Sequence, residues 1–303
     1  MFKKCLKYDM RALGKIWLIA SAVMLLLAVI CALGISCLPW TFTIMEQESS
    51  NESPFLLFLG IALMLVGMIS YIAIIYSIAI FTGGTNILLY VRYYLHFFTD
   101  QGYLTFTLPV KRSTLFWSKA VSGMIYMLGS AVVSVVSALI VVVGFLLPPI
   151  ISPQVAGAMG MDFSSLFAHA TLGDILCGIV TVILFVVLMI AIEFASLMMQ
   201  YLIITLAATM FRNLKFLSVI IAYVIVGAVF GIGYFATYFI WIIYLALTVS
   251  FLGMGLMSLF TLPVLGWLGI WMLMLIGVVA ALTAGVIFAN FTMQRLERKL
   301  NLA

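Results

Sequence analysis

Residues 55–81 read FLLFLGIALMLVGMISYIAIIYSIAIF, with no charged side chain anywhere in the run. About 20 apolar residues in a helix already cross the ~30 Å hydrocarbon core of a bilayer, so this stretch is long enough to span one. Five further runs share its character, at about 16–38, 120–147, 182–208, 216–237 and 264–290. The composition agrees: 66% of residues are hydrophobic and only 8% charged, with a mean hydropathy of +1.33. Soluble domains are about one-quarter charged, so a water-soluble fold is excluded. The expectation is an all-α integral membrane protein with six transmembrane helices in a single domain over 1–303.

The charges report orientation. Lys3, Lys4, Lys7, Arg11 and Lys15 precede the first run, and Arg92, Lys111, Arg112 and Lys119 lie between the second and third. Arg212 and Lys215 separate the fourth and fifth, and Arg295, Arg298 and Lys299 close the chain, which accounts for all 14 basic residues. The connections at 39–54 and 148–171 hold no Lys or Arg, only Glu46, Glu48, Glu52 and Asp162. By the positive-inside rule this pattern predicts a multi-pass protein of the cell membrane with both termini cytoplasmic. Trp17 and Trp117 fall near the inner interface, and Trp40, Trp241, Trp267 and Trp271 near the outer one, as amphipathic rings prefer. The formal charge of +5 therefore marks topology, and no nucleic-acid partner is expected. The cationic start imitates a signal peptide, but 16–38 is too long for one and reads as a retained first span. Cys5, Cys31, Cys37 and Cys177 show no CxxC pair and read as small packing residues.

Several segments outside the spans have their own character. In 1–15, Phe2, Leu6, Met10, Leu13 and, just beyond, Trp17 share one helical face, with the basic residues largely elsewhere. This predicts an amphipathic elbow helix on the inner leaflet. Residues 238–263 are apolar but broken by Gly253, Gly255 and Pro263, and read as a re-entrant or interfacial segment before the last span. Pro148, Pro149 and Pro153 predict a stiff irregular connection, with the fourth helix starting early, near Thr171. No inverted repeat is visible.

The segment 91–119 is far longer than a simple connection needs. It is too aromatic for a solvated loop, with Tyr93, Tyr94, Phe97, Phe98 and Tyr103, and too polar for a span, with His96, Asp100 and Gln101. Gly102 offers a helix stop, and Pro109 precedes the Lys111-Arg112 pair. A short helix followed by an extended stretch, docked on another protein, satisfies these features. Residues 100–119, DQGYLTFTLPVKRSTLFWSK, resemble the cytoplasmic segment of bacterial ABC-2-type permeases, whose members commonly read EGYLTFTLPVKR here. The chain departs at Gln101, where an acidic residue is usual, while Asp100 supplies a carboxylate one position earlier.

The resemblance implies a transmembrane subunit of an ATP-binding-cassette exporter. In such proteins this segment contains the coupling helix, which fits a groove on a separate ATP-binding subunit. Phe97, Phe98, Asp100, Gln101, Gly102, Tyr103 and Leu104 are thereby nominated as the ATPase contact. ATP and Mg would be held by that partner, and a second permease chain, identical or related, would complete the pore. The implied cargo is an amphipathic compound or peptide.

The remaining residues limit the alternatives. The phosphate-binding pattern GxxxxGK[ST] is absent, and Gly83-Gly84-Thr85-Asn86 has glycines but no lysine, so any ATP must bind another chain. Glu193 lies well inside a span, where a carboxylate costs roughly 2.5–3.5 kcal/mol on insertion scales. With Gln200 on the same helix it is the candidate substrate path, or else a packed or hydrated side chain. His169 and Asp174 are too few for a metal site, and Gly227 and Gly231 form a GxxxG pair suited to close helix approach. The spans hold no paired catalytic groups, so no enzyme activity is expected in this chain. Two other functions stay open: a permease-like sensor or assembly subunit that moves no cargo, and an ion-coupled carrier.

Overall fold

A computed structural model describes residues 2–51, 54–99, 102, 111–159, 172–210, 220, 224 and 264–299. Among these, every extended element is an α-helix: α1 Phe2–Ile35, α2 Cys37–Asn51, α3 Pro54–Phe98, α4 Arg112–Ile151, α5 Pro153–Ala158, α6 Leu172–Met210 and α7 Val264–Lys299. Among the described residues five stretches are long and apolar enough to cross a membrane: α1 with most of α2, then α3, α4, α6 and α7. Ile72, Ile80, Val132, Leu139, Val182 and Leu273 are each more than half exposed, an apolar surface suited to lipid. The chain is an all-helical, multi-pass, membrane-embedded protein. Helices satisfy this solvent because they pair every backbone amide internally. The expected fifth span at 216–237, with Gly227 and Gly231, and the expected re-entrant segment at 238–263 lie outside the described residues, apart from the isolated positions 220 and 224.

The helices run further than the apolar runs that announced them. At 1.5 Å per residue, α3 is ~67 Å long and α1 ~51 Å, against a hydrocarbon core of ~30 Å. Hydropathy marks where the solvent changes; the backbone stays helical until something breaks it. Three expectations are corrected on this ground. A separate elbow over 1–15 is not seen: its two faces are segregated, with Lys3, Lys4, Lys7, Arg11 and Lys15 exposed and Leu13 buried, but α1 passes from 15 to 16 without interruption. Nothing around Lys15 breaks a helix, and Tyr126 donates its hydroxyl proton to the Met10 carbonyl at 2.5 Å across Gly14. The connection at 39–54 is mostly the helix α2. Its break from α1 is set by Pro39, which lacks the amide that would bond Ile35 and whose ring clashes with that carbonyl, so α1 ends at Ile35.

The third correction concerns the prolines. Pro148 and Pro149 lie inside the last turn of α4, which begins at Arg112 rather than near 120. So close to the C-terminus they remove few ladder bonds, and the Ser152 amide still reaches the Pro148 carbonyl at 2.9 Å. The helix ends because Ser152 precedes Pro153 and is driven into extended backbone, φ −115° and ψ 109°. Pro153 then opens α5. The early start foreseen for the fourth helix is observed, with α6 beginning at Leu172.

Contacts divide the chain into two compact units, Leu6–Leu89 with Ile125–Ala170, and Met1–Cys5 with Tyr90–Met124 and Thr171–Ala303. In the first, Met24, Ala28, Cys31, Ile35, Ile74 and Phe81 form the core. Gly34 faces Ser70 while Gly67 faces Leu38, so α3 runs antiparallel to α1 and α2; Gly129 faces Trp17 while Gly144 faces Ala32, so α4 runs parallel to α1. In the second unit, Lys119 and Gly123 of α4 meet Tyr201 and Leu197 of α6 in antiparallel order. Along α6, Thr181, Leu188 and Phe194 meet Trp271, Gly277 and Gly285, so α7 runs parallel to α6.

Candidate functional site

The segment that distinguishes this chain follows the end of α3 at Phe98 and leads into α4 at Arg112, and the flanking parts of both helices are fastened to the same helix, α6. On the α3 side, the Tyr93 ring stacks on Tyr201 of α6 at a centroid distance of 4.0 Å and an angle of 7°. The Tyr93 hydroxyl shares a 3.0 Å hydrogen bond with Thr205 Oγ1, which also donates to the Tyr201 carbonyl at 2.7 Å. Phe97 packs against Tyr93 at 4.9 Å. On the α4 side, Phe116 meets Tyr201 edge-on at 6.3 Å, and the Tyr201 hydroxyl donates to the Lys119 carbonyl at 3.4 Å. Tyr93, Phe97, Phe116, Tyr201 and Thr205 are each at most 2% exposed. Buried tyrosines whose hydroxyls find partners combine a large apolar contact with a directional one, which fixes position as well as burial.

This cluster arises from helical spacing on α6. Leu197, Tyr201, Ile204 and Thr205 recur at three- and four-residue intervals and therefore share one face. A third fastening joins α4 to the end of α7. Arg112, the first residue of α4, donates through Nη1 to the Leu296 and Glu297 carbonyls at 3.2 and 3.3 Å. These carbonyls belong to the last turn of α7, where acceptors have no partner within the helix and the dipole favours a cation. Just beyond α3 the Gly102 amide donates to the Thr99 carbonyl at 2.7 Å, and Gly102 has helical backbone. A Cβ on Gly102 would come within 2.8 Å of the Phe97 carbonyl oxygen, so only glycine fits there.

The residues nominated as a partner contact separate under this geometry. Phe97 and Gly102 are buried within the chain, and Phe98 is half-buried. Asp100, Gln101, Tyr103 and Leu104 lie outside the described residues. The expected short helix and extended stretch lie for the most part outside the described residues; α3 itself is continuous from Pro54 to Phe98, and beyond it Gly102 has helical backbone. Glu193 and Gln200 are both half-buried on α6, about 10 Å apart along its axis at seven residues' spacing. The Gln200 Oε1 is buried and has no hydrogen-bond partner among the described residues.

Tyr201, Thr205, Phe116 and Arg112 were not singled out as site residues from the sequence. Tyr93 and Thr205 lie 112 residues apart, and Arg112 is 184 residues from Leu296. The one available signal was local: polar Tyr and Thr recurring on a single face of an otherwise aliphatic helix. No protein-family profile, no curated protein and no solved structure matches this chain.

Proposed function

We propose that this chain is the membrane-spanning permease subunit of an ATP-binding-cassette transporter of the ABC-2 type, in the cell membrane with both termini cytoplasmic. The observation that carries the reading is the string DQGYLTFTLPVKRSTLFWSK at 100–119, suspended between two departures fastened to α6. A separate ATP-binding subunit docks on this segment, supplies ATP and Mg, and pushes it as it cycles. Force applied between Phe98 and Lys111 reaches α3 and α4 at once, and both bear on α6 through Tyr201. Phe98, Asp100, Gln101, Tyr103 and Leu104 form the contact, Gly102 turns the chain, and Phe97 belongs to the platform beneath.

The parallel course of α6 and α7 supports the six-span order, which requires the same parity of its fourth and sixth members. A second permease chain, identical or related, completes the path, and Glu193 and Gln200 are its polar groups. The cargo is an amphipathic compound or peptide, exported. The test is purification of the chain from its native membrane, with identification of what accompanies it. A stoichiometric ATP-binding subunit is expected, and Asp100→Ala with Tyr103→Ala should weaken its association about tenfold, or about 1.4 kcal/mol, with membrane insertion intact. Unchanged association of the double variant removes the contact assignment; consistent absence of any ATP-binding subunit removes the transporter reading.

A further inference from the structure

In the interior of α3 stand Thr82, Gly83, Gly84, Thr85 and Asn86, five consecutive residues of low helix propensity. Glycine in a helix usually answers to a neighbour that leaves no room for a Cβ. Gly34, Gly67 and Gly144 are of this kind, each pressed against Ser70, Leu38 or Ala32. Gly83 and Gly84 are not, since a Cβ on either would meet nothing within 4 Å. Among the described residues no neighbour gives a reason for them, nor for Gly157 and Gly178; what sets this turn apart is that two such glycines stand side by side between threonines.

The flanking threonines weaken the same turn. Thr82 Oγ1 donates to the Ile78 carbonyl at 2.8 Å and Thr85 Oγ1 to the Phe81 carbonyl at 2.9 Å. Hydroxyls bonded back to i−4 carbonyls compete with the ladder and favour bending, and glycine and serine-type pairs are established kink positions. One face of the helix is held on both sides and through the turn itself, where Thr85 and then Leu89 are buried, while Gly83 and Gly84 lie away from that face. Ile74 and Phe81 are buried in one apolar core, and Tyr93 and Phe97 are buried in the aromatic cluster. A turn packed on one side and open at two adjacent glycines on the other is the place where such a helix yields most easily.

We infer that residues 82–86 are a built-in hinge of α3, at which the 87–98 arm swings against the 54–81 portion. The load that drives it rests on the proposed ATPase coupling; the hinge itself is a property of this chain and is tested without a partner. Spin labels at Ile80 and Leu95, 72% and 42% exposed, bracket the turn in a background lacking the four native cysteines. In an ideal helix these positions are ~22 Å apart along the axis. With one chain per lipid nanodisc, the parent should give a broad or divided distance distribution. A bend of ~20° moves labels of this reach by about 3 Å.

Gly83→Ala with Gly84→Ala should collapse the distribution to one narrow distance, because alanine fits the open space and stiffens the turn. The single substitutions serve if the pair fails to yield folded protein. One narrow distance shared by parent and variant overturns the hinge. A dipolar signal between chains labelled only at Ile80, in discs holding two copies and abolished by the alanines, also overturns it, since the glycines would then serve contact between copies. Where an ATP-binding subunit co-purifies, the alanine pair should keep it bound while transport-coupled hydrolysis falls about tenfold. Failure to recover that subunit would count against the transporter reading alone and leave the distance result standing.

Discussion

Around Met24, Ala28, Cys31 and Ile35 the helices meet through aliphatic side chains, and glycines let neighbouring backbones approach. Around Tyr93, Tyr201 and Thr205 they meet through stacked rings and shared hydroxyl protons. The first kind of contact suits lipid, where association relies on close van der Waals fit because lipid tails are as apolar as leucine. It sets distance but is tolerant in register. The second is directional: a ring stacked at 7° and bonded at its tip cannot slide along its partner without losing both interactions. The difference marks the base of the 99–111 segment as a place where the described helices are held in fixed register.

Removing the centre of the aromatic cluster should have the largest effect. Tyr93→Ala deletes a fully buried ring together with its hydrogen bond and should cost about 3–5 kcal/mol, as large aromatic truncations do. Thermal unfolding in detergent checks it, with Tyr93→Phe as the control that keeps the stack and loses only the bond to Thr205. A loss as small for alanine as for phenylalanine would show that the stack does not organise this region.

The glycine-lined core should respond to added volume instead. A Cβ at Gly144 would lie 2.7 Å from the Ala32 carbonyl oxygen, a backbone atom that cannot turn aside. Gly144→Ala should therefore destabilise by about 1–3 kcal/mol, the usual cost of overpacking. Measured in the same assay, a neutral outcome would mean that α1 and α4 do not depend on close approach there, and the contrast between the two regions would fail. The smallest effect belongs to the clasp on α7. Arg112→Gln weakens the donor to two terminal carbonyls and should cost about 0.3–1 kcal/mol, the scale of a helix-end charge. It should be read locally, as faster amide exchange near 293–299 with the exchange of α1 unchanged.

Much of this was written in composition and order. The run at 55–81 needed no partner to be read, because twenty apolar residues have one solvent in which they are stable. Gly102 reads as a stop, yet α3 ends earlier, at Phe98, and Gly102 itself has helical backbone. The helix ends were less legible. A polar stretch such as 40–51 looks like a loop to hydropathy, yet it remains helical since no residue within it breaks the ladder. The prolines mislead for a related reason: Pro39 ends α1 through its clash four residues back, while Pro148 and Pro149 sit where the ladder is already closing.

The candidate site divides in the same way. That residues 91–119 form a special segment is visible in its length, its aromatics and its likeness to a permease motif. That Phe97 faces inward while Phe98 is left half-buried depends on α6 standing beside α3, a pairing between residues more than a hundred positions apart. By itself the sequence determined the solvent of the chain, its helical class and the grouping of its basic residues, because these follow from local chemistry summed along the chain. Only the tertiary structure decided which helices run side by side, which aromatic rings become platform, and which glycines have a neighbour to answer to, because each of those is a fact about two distant segments meeting.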